Sequence, residues 1–176
     1  MTVECTINGR ETTLEVTDDV DLATALRRAG YRGVKCGCDG GTCGASTVLV
    51  DGEATMACGM EAVGVDGLEI VTIEGLGRQH DLHPIQEAFV DHFAVQCGFC
   101  IPGMIIQAAD LLTTNPDPSE REIREAIADN YCRCTGYQKP VEAIQDAATR
   151  LNGGEVVSVD PSGPTAGPQR AGDVDV

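Results

Sequence analysis

The sequence predicts an α+β chain in which a small mixed sheet packed on one helix precedes a compact bundle of four short helices. Three observations predict it. In the first half, apolar and polar residues alternate in short runs broken by Asn8-Gly9 and Asp51-Gly52, dipeptides that favour tight hairpins. Beyond Gly75-Leu76-Gly77 the apolar period lengthens from two to about three and a half, which marks a domain boundary. Past that point the helical stretches carry prolines or capping residues at their starts.

Each element follows from local chemistry. Val3 to Ile7 and Thr12 to Val16 alternate on either side of Asn8-Gly9 and form an N-terminal hairpin, with Cys5 as a buried strand thiol between Val3 and Ile7. Asp18 or Asp19 caps a helix from about residue 21 to 29, with Leu22, Ala25, Leu26 and Ala29 on one face and Gly30 closing it. A long glycine-rich loop leads to a second hairpin, Thr47 to Val50 and Glu53 to Met56, and Leu68 to Ile73 adds a strand. Pro84 suits the first turn of a helix running to about Phe93, and Pro102 that of a helix running to about Thr113. Asn115-Pro116 breaks the chain. Ser119 and Glu122 make a capping box ahead of Ile123, Ala126 and Ile127, and Pro140 opens a fourth helix that ends before Gly153-Gly154. The expected units are residues 1–76, 77–152 and a tail, 153–176. The tail has five glycines, three prolines and no aromatic residue, so its burial does not offset an ordering cost of about 1 kcal/mol or more per residue, and disorder is expected.

Composition narrows the function. A formal charge of -16, with Lys35 and Lys139 the only lysines, would repel a phosphate backbone, so nucleic acid is not an expected partner. Such acidity suits either a salt-rich cytosol or an ordinary solubilising surface. No apolar run is long enough to span a membrane. The N-terminus has neither a basic leader nor an apolar segment, which points to the cytoplasm, a reducing compartment where disulfides are rare. The cysteine count is nine, and eight of them fall in two groups: Cys36, Cys38, Cys43 and Cys58, then Cys97, Cys100, Cys132 and Cys134. Two four-thiolate sites plus Cys5 account for the odd number.

Thiolates are soft ligands suited to iron-sulfur clusters or zinc. In the first group, four residues separate Cys38 from Cys43, as in plant-type ferredoxins, and glycines let the backbone fold around an inorganic core. The third ligand position of that spacing holds Ser46, and Cys58 fits the distant fourth. In the second group, Cys97-Gly98-Phe99-Cys100 and Cys132-Arg133-Cys134 form two close pairs. The single-residue gap of the latter favours an iron-sulfur centre over a zinc knuckle, which stays open as the alternative. His80, His83 and His92 lack ligand or triad spacing and read as surface or interface residues. No nucleophile-base constellation is evident, so substrate chemistry is expected on another chain.

Three blocks carry a resemblance: Gln96 to Met104 (QCGFCIPGM), Asn115-Pro116, and Cys132 to Gln138 (CRCTGYQ). With Cys43-Gly44-Ala45 and Thr47 to Gly52, they resemble the [2Fe-2S] iron-sulfur subunit of molybdenum hydroxylases, the xanthine dehydrogenase, aldehyde oxidase and aerobic carbon monoxide dehydrogenase family, over roughly residues 2 to 150. The resemblance implies an N-terminal β-grasp, plant ferredoxin-like domain and a four-helix domain, each holding one [2Fe-2S] cluster. It implies that Cys97, Cys100, Cys132 and Cys134 bind the cluster proximal to a molybdopterin cofactor on a large subunit, with Gln96 and Cys134 near the pterin. Cys38, Cys43 and Cys58 would bind the other cluster, nearer FAD on a medium subunit. Electrons would run from molybdenum across both clusters to flavin or another acceptor; a freestanding ferredoxin-like carrier or adaptor is the alternative.

Ser46 departs from that pattern. Its oxygen ligates iron, Cys36 replaces it, or the site holds no stable cluster; the intact glycine-rich loop favours a modified cluster on Cys38, Cys43 and Cys58.

Overall fold

The structure is a computed structural model that describes residues 1–77 and 80–151; the expected disordered tail, 153–176, lies outside them. Strands β1 (Thr2–Ile7) and β2 (Arg10–Glu15) pair antiparallel, Val3 opposite Leu14 and Cys5 opposite Thr12. Asn8 and Gly9 take positive φ (52° and 75°), as a two-residue hairpin with right-handed strand twist requires. The second hairpin, β3 (Thr47–Val50) and β4 (Glu53–Met56), repeats the device with Asp51 and Gly52 at φ 48° and 87°. With β5 (Glu69–Val71) these form one five-stranded sheet in the order β2-β1-β5-β3-β4, and β1 and β5 run parallel.

Helix α1 (Leu22–Arg28) buries Leu22 and Leu26 against the sheet with Val3, Ile7, Val48, Val50 and Ile70. Its cap is Asp21, not Asp18 or Asp19. Asp21 is extended (ψ 154°) and accepts the Thr24 amide at 2.8 Å, whereas Asp19 is held by the Thr17 hydroxyl in the preceding turn.

The strand expected from Leu68 to Ile73 ends at Val71, and Ile73 opens a short helix, α2 (Ile73–Leu76). A distant side chain explains the break. Asn8 accepts the Thr72 amide at 2.8 Å and donates to its hydroxyl at 3.0 Å, while Glu74 accepts the Thr72 hydroxyl at 2.7 Å and the Gly33 amide at 2.6 Å.

The helical half follows: α3 (Pro84–Asp91), α4 (Ile101–Thr114), α5 (Glu120–Ala126) and α6 (Gln138–Leu151). Ser119 and Glu122 form the expected capping box. Helix α6 begins two residues before Pro140, which sits within the first turn, where its missing N–H leaves no intrahelical bond unmade. His83, expected at the surface or an interface, is buried at the start of α3, where its Nδ1 accepts the Ile85 amide at 3.2 Å. A ring nitrogen substitutes for the usual hydroxyl or carboxylate cap, and Gln86 completes the box.

The sheet and the helices share a boundary at β3. Val48 and Val50 join the α1 core, whereas Leu49 joins Val71, Phe89, Met104, Ile106 and Ile144 in the helical core. Burial on both faces is why this strand reads as a continuous apolar run rather than an alternation.

Candidate metal centres

The N-terminal cysteines lie on the segments that leave α1 and β4. Cys38 and Cys43 belong to the loop before β3, and Cys58 sits in the 3₁₀ turn Ala57–Gly59 that follows β4. The loop backbone turns its amides on sulfur: the Thr42 N–H lies 3.5 Å from Cys38 Sγ. The amides of Gly40 and Thr42 together bring the Cys38 thiol down to about 5, so it stands as a thiolate at neutral pH. Burial pushes Cys43 the other way. Ser46, 1% exposed, immediately precedes β3; its Oγ accepts the Cys58 amide at 3.3 Å and its carbonyl the Ala57 amide at 3.2 Å. Cys36 is exposed on the rim of the same loop.

The C-terminal cysteines are set at helix ends. Cys100 is the residue before α4 and is buried, Cys97 lies exposed on the loop leading to it, and Cys132 and Cys134 occupy the turn between α5 and α6. Burial, with a hydrogen bond to Cys132, pushes Cys100 up to about 12; at the outer edge a hydrogen bond to Cys97 raises Cys134. Burial opposes ionisation of Cys132, yet the net shift is downward, because the Thr135 hydroxyl (3.0 Å) and amide (3.4 Å) and the Cys134 amide lie on its sulfur.

Among the described residues, no three cysteine, histidine or carboxylate side chains converge as they would on a single metal ion. The four thiols match in number and kind the ligand set of a dinuclear [2Fe-2S] core. The N-terminal set supplies three thiols on amide-rich turns, and the residue that would complete it in ferredoxin spacing offers oxygen. Cysteine chemistry therefore fits the group fully at one site and in part at the other.

Residues outside the cysteine pattern join the two sites. The Tyr131 N–H donates to the Cys43 carbonyl at 3.0 Å, one residue before Cys132. Buried Asn130 donates through Nδ2 to the Gly44 carbonyl at 2.9 Å. Tyr137, at φ 67°, braces this turn: its hydroxyl accepts the Cys132 amide at 2.8 Å and donates to the Asn130 carbonyl at 3.1 Å. Gly37 closes the gap from the other side, since a Cβ there would lie 3.1 Å from both Cys43 Sγ and the Phe99 ring. Spacing does not reveal Asn130; its one sequence signal is its place two residues before Cys132.

The remaining candidates divide by exposure. Gln96 and Cys134 are at the surface, beside exposed Val95, Phe99 and Tyr131. Ile101 and Ile105, which also suit an inter-subunit face by composition, are core residues. His92 is half-buried and pairs with Asp146 at 3.0 Å, while His80 is exposed. No described helix is long and apolar enough to cross a membrane.

Two family models match successive stretches of the chain. Residues 5–67 match the 2Fe-2S iron-sulfur cluster binding domain family and residues 72–145 the [2Fe-2S] binding domain family. The nicotine 6-hydroxylase small subunit of Paenarthrobacter nicotinovorans is 45% identical over 150 residues, 85% of this chain and 90% of that one. The aldehyde oxidoreductase of Megalodesulfovibrio gigas is 47% identical over 152 residues, 84% of this chain but only 17% of that much longer protein. The solved structure of quinoline 2-oxidoreductase from Pseudomonas putida 86 superposes with a TM-score of 0.84 at 41% identity, covering 88% of this chain and 98% of the matched one.

Proposed function

Because the chain belongs to the family of [2Fe-2S] iron-sulfur subunits of molybdenum hydroxylases, we propose that it is the electron relay of such an enzyme. It takes electrons from the molybdopterin site of a large subunit and delivers them to an FAD subunit or another acceptor. Each [2Fe-2S] cluster, when bound, supplies a one-electron carrier. Cys97, Cys100, Cys132 and Cys134 hold the one proximal to molybdopterin, with Gln96 and Cys134 facing the pterin; Cys38, Cys43 and Cys58 hold the distal one. Residues 1–76 and 77–152 are the corresponding domains.

The observation that carries the reading is the Tyr131 N–H bond to the Cys43 carbonyl at 3.0 Å. It links a ligand of one site to the neighbour of a ligand of the other through backbone and a single hydrogen bond. The chain's own residues then do three things. Cys100 and Cys132 carry the inner side of one site away from solvent, amides and the Thr135 hydroxyl stabilise negative charge on sulfur, and exposed Cys134 and Gln96 present the outer side to a partner. Phe99 and Tyr131, exposed beside them, supply apolar area for that contact. Substrate choice belongs to the large chain.

Purification of the native complex under anaerobic conditions tests the proposal. A molybdopterin-bearing large chain should co-purify, and an oxidisable substrate of that chain should reduce the iron-sulfur centres, read by electron paramagnetic resonance. A chain that purifies alone and exchanges electrons with a free flavoprotein would instead be an independent carrier.

A further inference from the structure

Resting on the reading that this chain carries a cluster at each site, we propose that Cys36 supplies the fourth thiolate of the N-terminal cluster, beside Cys38, Cys43 and Cys58. Ser46 then has a structural task. Its side chain is buried just before β3, its hydroxyl accepts the Cys58 amide, and its carbonyl accepts the Ala57 amide, so it pins the Cys58 turn to the sheet. An oxygen donor is also the harder and poorer match to an iron-sulfur iron.

Three observations direct the choice to Cys36. Its side chain is exposed on the loop rim and outside any disulfide, so ligation would bury it rather than dismantle a core. Gly37, the next residue, lies close enough to Cys43 that a Cβ there would stand 3.1 Å from its Sγ, so the Cys36–Cys38 segment runs directly against the N-terminal thiols, while the Ser46 hydroxyl is already engaged by the Cys58 amide. Finally, Cys36-Gly37-Cys38 has the same one-residue bite as Cys132-Arg133-Cys134. Gly37 makes that bite possible here, because it lies flat over Cys43 Sγ where a Cβ would approach to 3.1 Å. Gly40 and Gly41 give the rest of the loop room to adjust. Ligation needs no oxidant: each cysteine binds as a thiolate, and any proton its sulfur still carries passes to solvent as the sulfur-iron bond forms.

The test uses the full-length chain purified anaerobically, reading iron per chain and the resonance spectrum of the dithionite-reduced protein. The wild type should hold about four irons in two distinguishable signals. Cys36→Ala should fall to about two irons and lose one signal while the other is unchanged. Ser46→Ala should keep both clusters, and the double variant Cys36→Ala with Ser46→Cys should regain the lost one, which separates a missing ligand from a misfolded loop. Retention of both clusters in Cys36→Ala or a single cluster in the wild type would each overturn the proposal. A wild-type chain with no cluster at all would overturn the two-cluster reading beneath it.

Discussion

The two cysteine sites differ in what holds them. Cys100 caps α4 with Cys97 on the loop leading to it, and Cys132 and Cys134 occupy the turn between α5 and α6, segments held by helices whose packing through Met104, Ile106, Ile123 and Ile144 fixes their ends. Cys36, Cys38 and Cys43 stand on a glycine-rich loop whose order comes from amides and from contacts with the neighbouring site. A site anchored on helix ends has little freedom to exchange a ligand. A site on a pliant loop tolerates an altered third position, provided another thiol is within reach.

Four changes probe that contrast, from the largest effect to the smallest. Cys100→Ser should abolish the helical-domain cluster outright, because the position is buried and no other thiol stands near it except its fellow ligands. Iron analysis should show half the wild-type content, and substrate should no longer reduce the remaining centre.

Removal of the iron exposes the second difference. In the chain stripped of metal, Cys38 is a thiolate above about pH 5, whereas Cys100 keeps its proton up to about 12. At pH 7 iodoacetamide should therefore label Cys38 roughly a hundredfold faster or more, as read by peptide mass spectrometry. Lowering the pH from 7 through 5 should slow Cys38 progressively while Cys100 stays inert throughout. Equal labelling of the two at pH 7 would show that the sites do not differ in this way.

The third change separates the sites from each other. Gly44 has φ 66°, and a Cβ there would come within 2.5 Å of Asn130 Nδ2 and the Asp129 carbonyl. Gly103 on α4 faces the same spot, where a Cβ would overlap the Gly44 carbonyl oxygen. Gly44→Ala should cost about 2–4 kcal/mol, measured as a lower urea midpoint, and should perturb both spectroscopic signals together.

The smallest effect tunes one site alone. Thr135→Val removes a hydroxyl hydrogen bond of about 1 kcal/mol from Cys132 sulfur. The bond favours the more negative, reduced cluster, so its loss should lower that potential by about 40 mV in a redox titration and leave the distal potential unchanged.

Local chemistry was legible wherever it was self-sufficient. Asn8-Gly9, Asp51-Gly52 and the Ser119-Glu122 box place turns and caps with partners at most a few residues away. The cysteine spacing led to both candidate sites for the same reason. What the sequence did not display depends on contacts between distant segments. Asn8 with Thr72 ends β5 early, Asn130 meets Gly44, and His83 takes a capping role through a ring nitrogen where a surface or interface position was expected. The Asp21 cap was a near miss of another kind. Three aspartates lie within four residues, and the Thr17 and Thr24 hydroxyls sort them by geometry that composition does not record.

The double burial of β3 bears on assembly. Leu49 completes the helical core and Val48 and Val50 the sheet core, so neither core closes before this strand is in place. The two halves should consequently melt as one cooperative unit, seen as a single coincident transition by calorimetry and by cluster absorbance. The loop that delivers the N-terminal thiols runs directly into that strand, and so its ordering is coupled to the folding of both halves. Loading iron at the pliant site would then consolidate the whole chain, and a chain starved of iron would be the form most exposed to proteolysis.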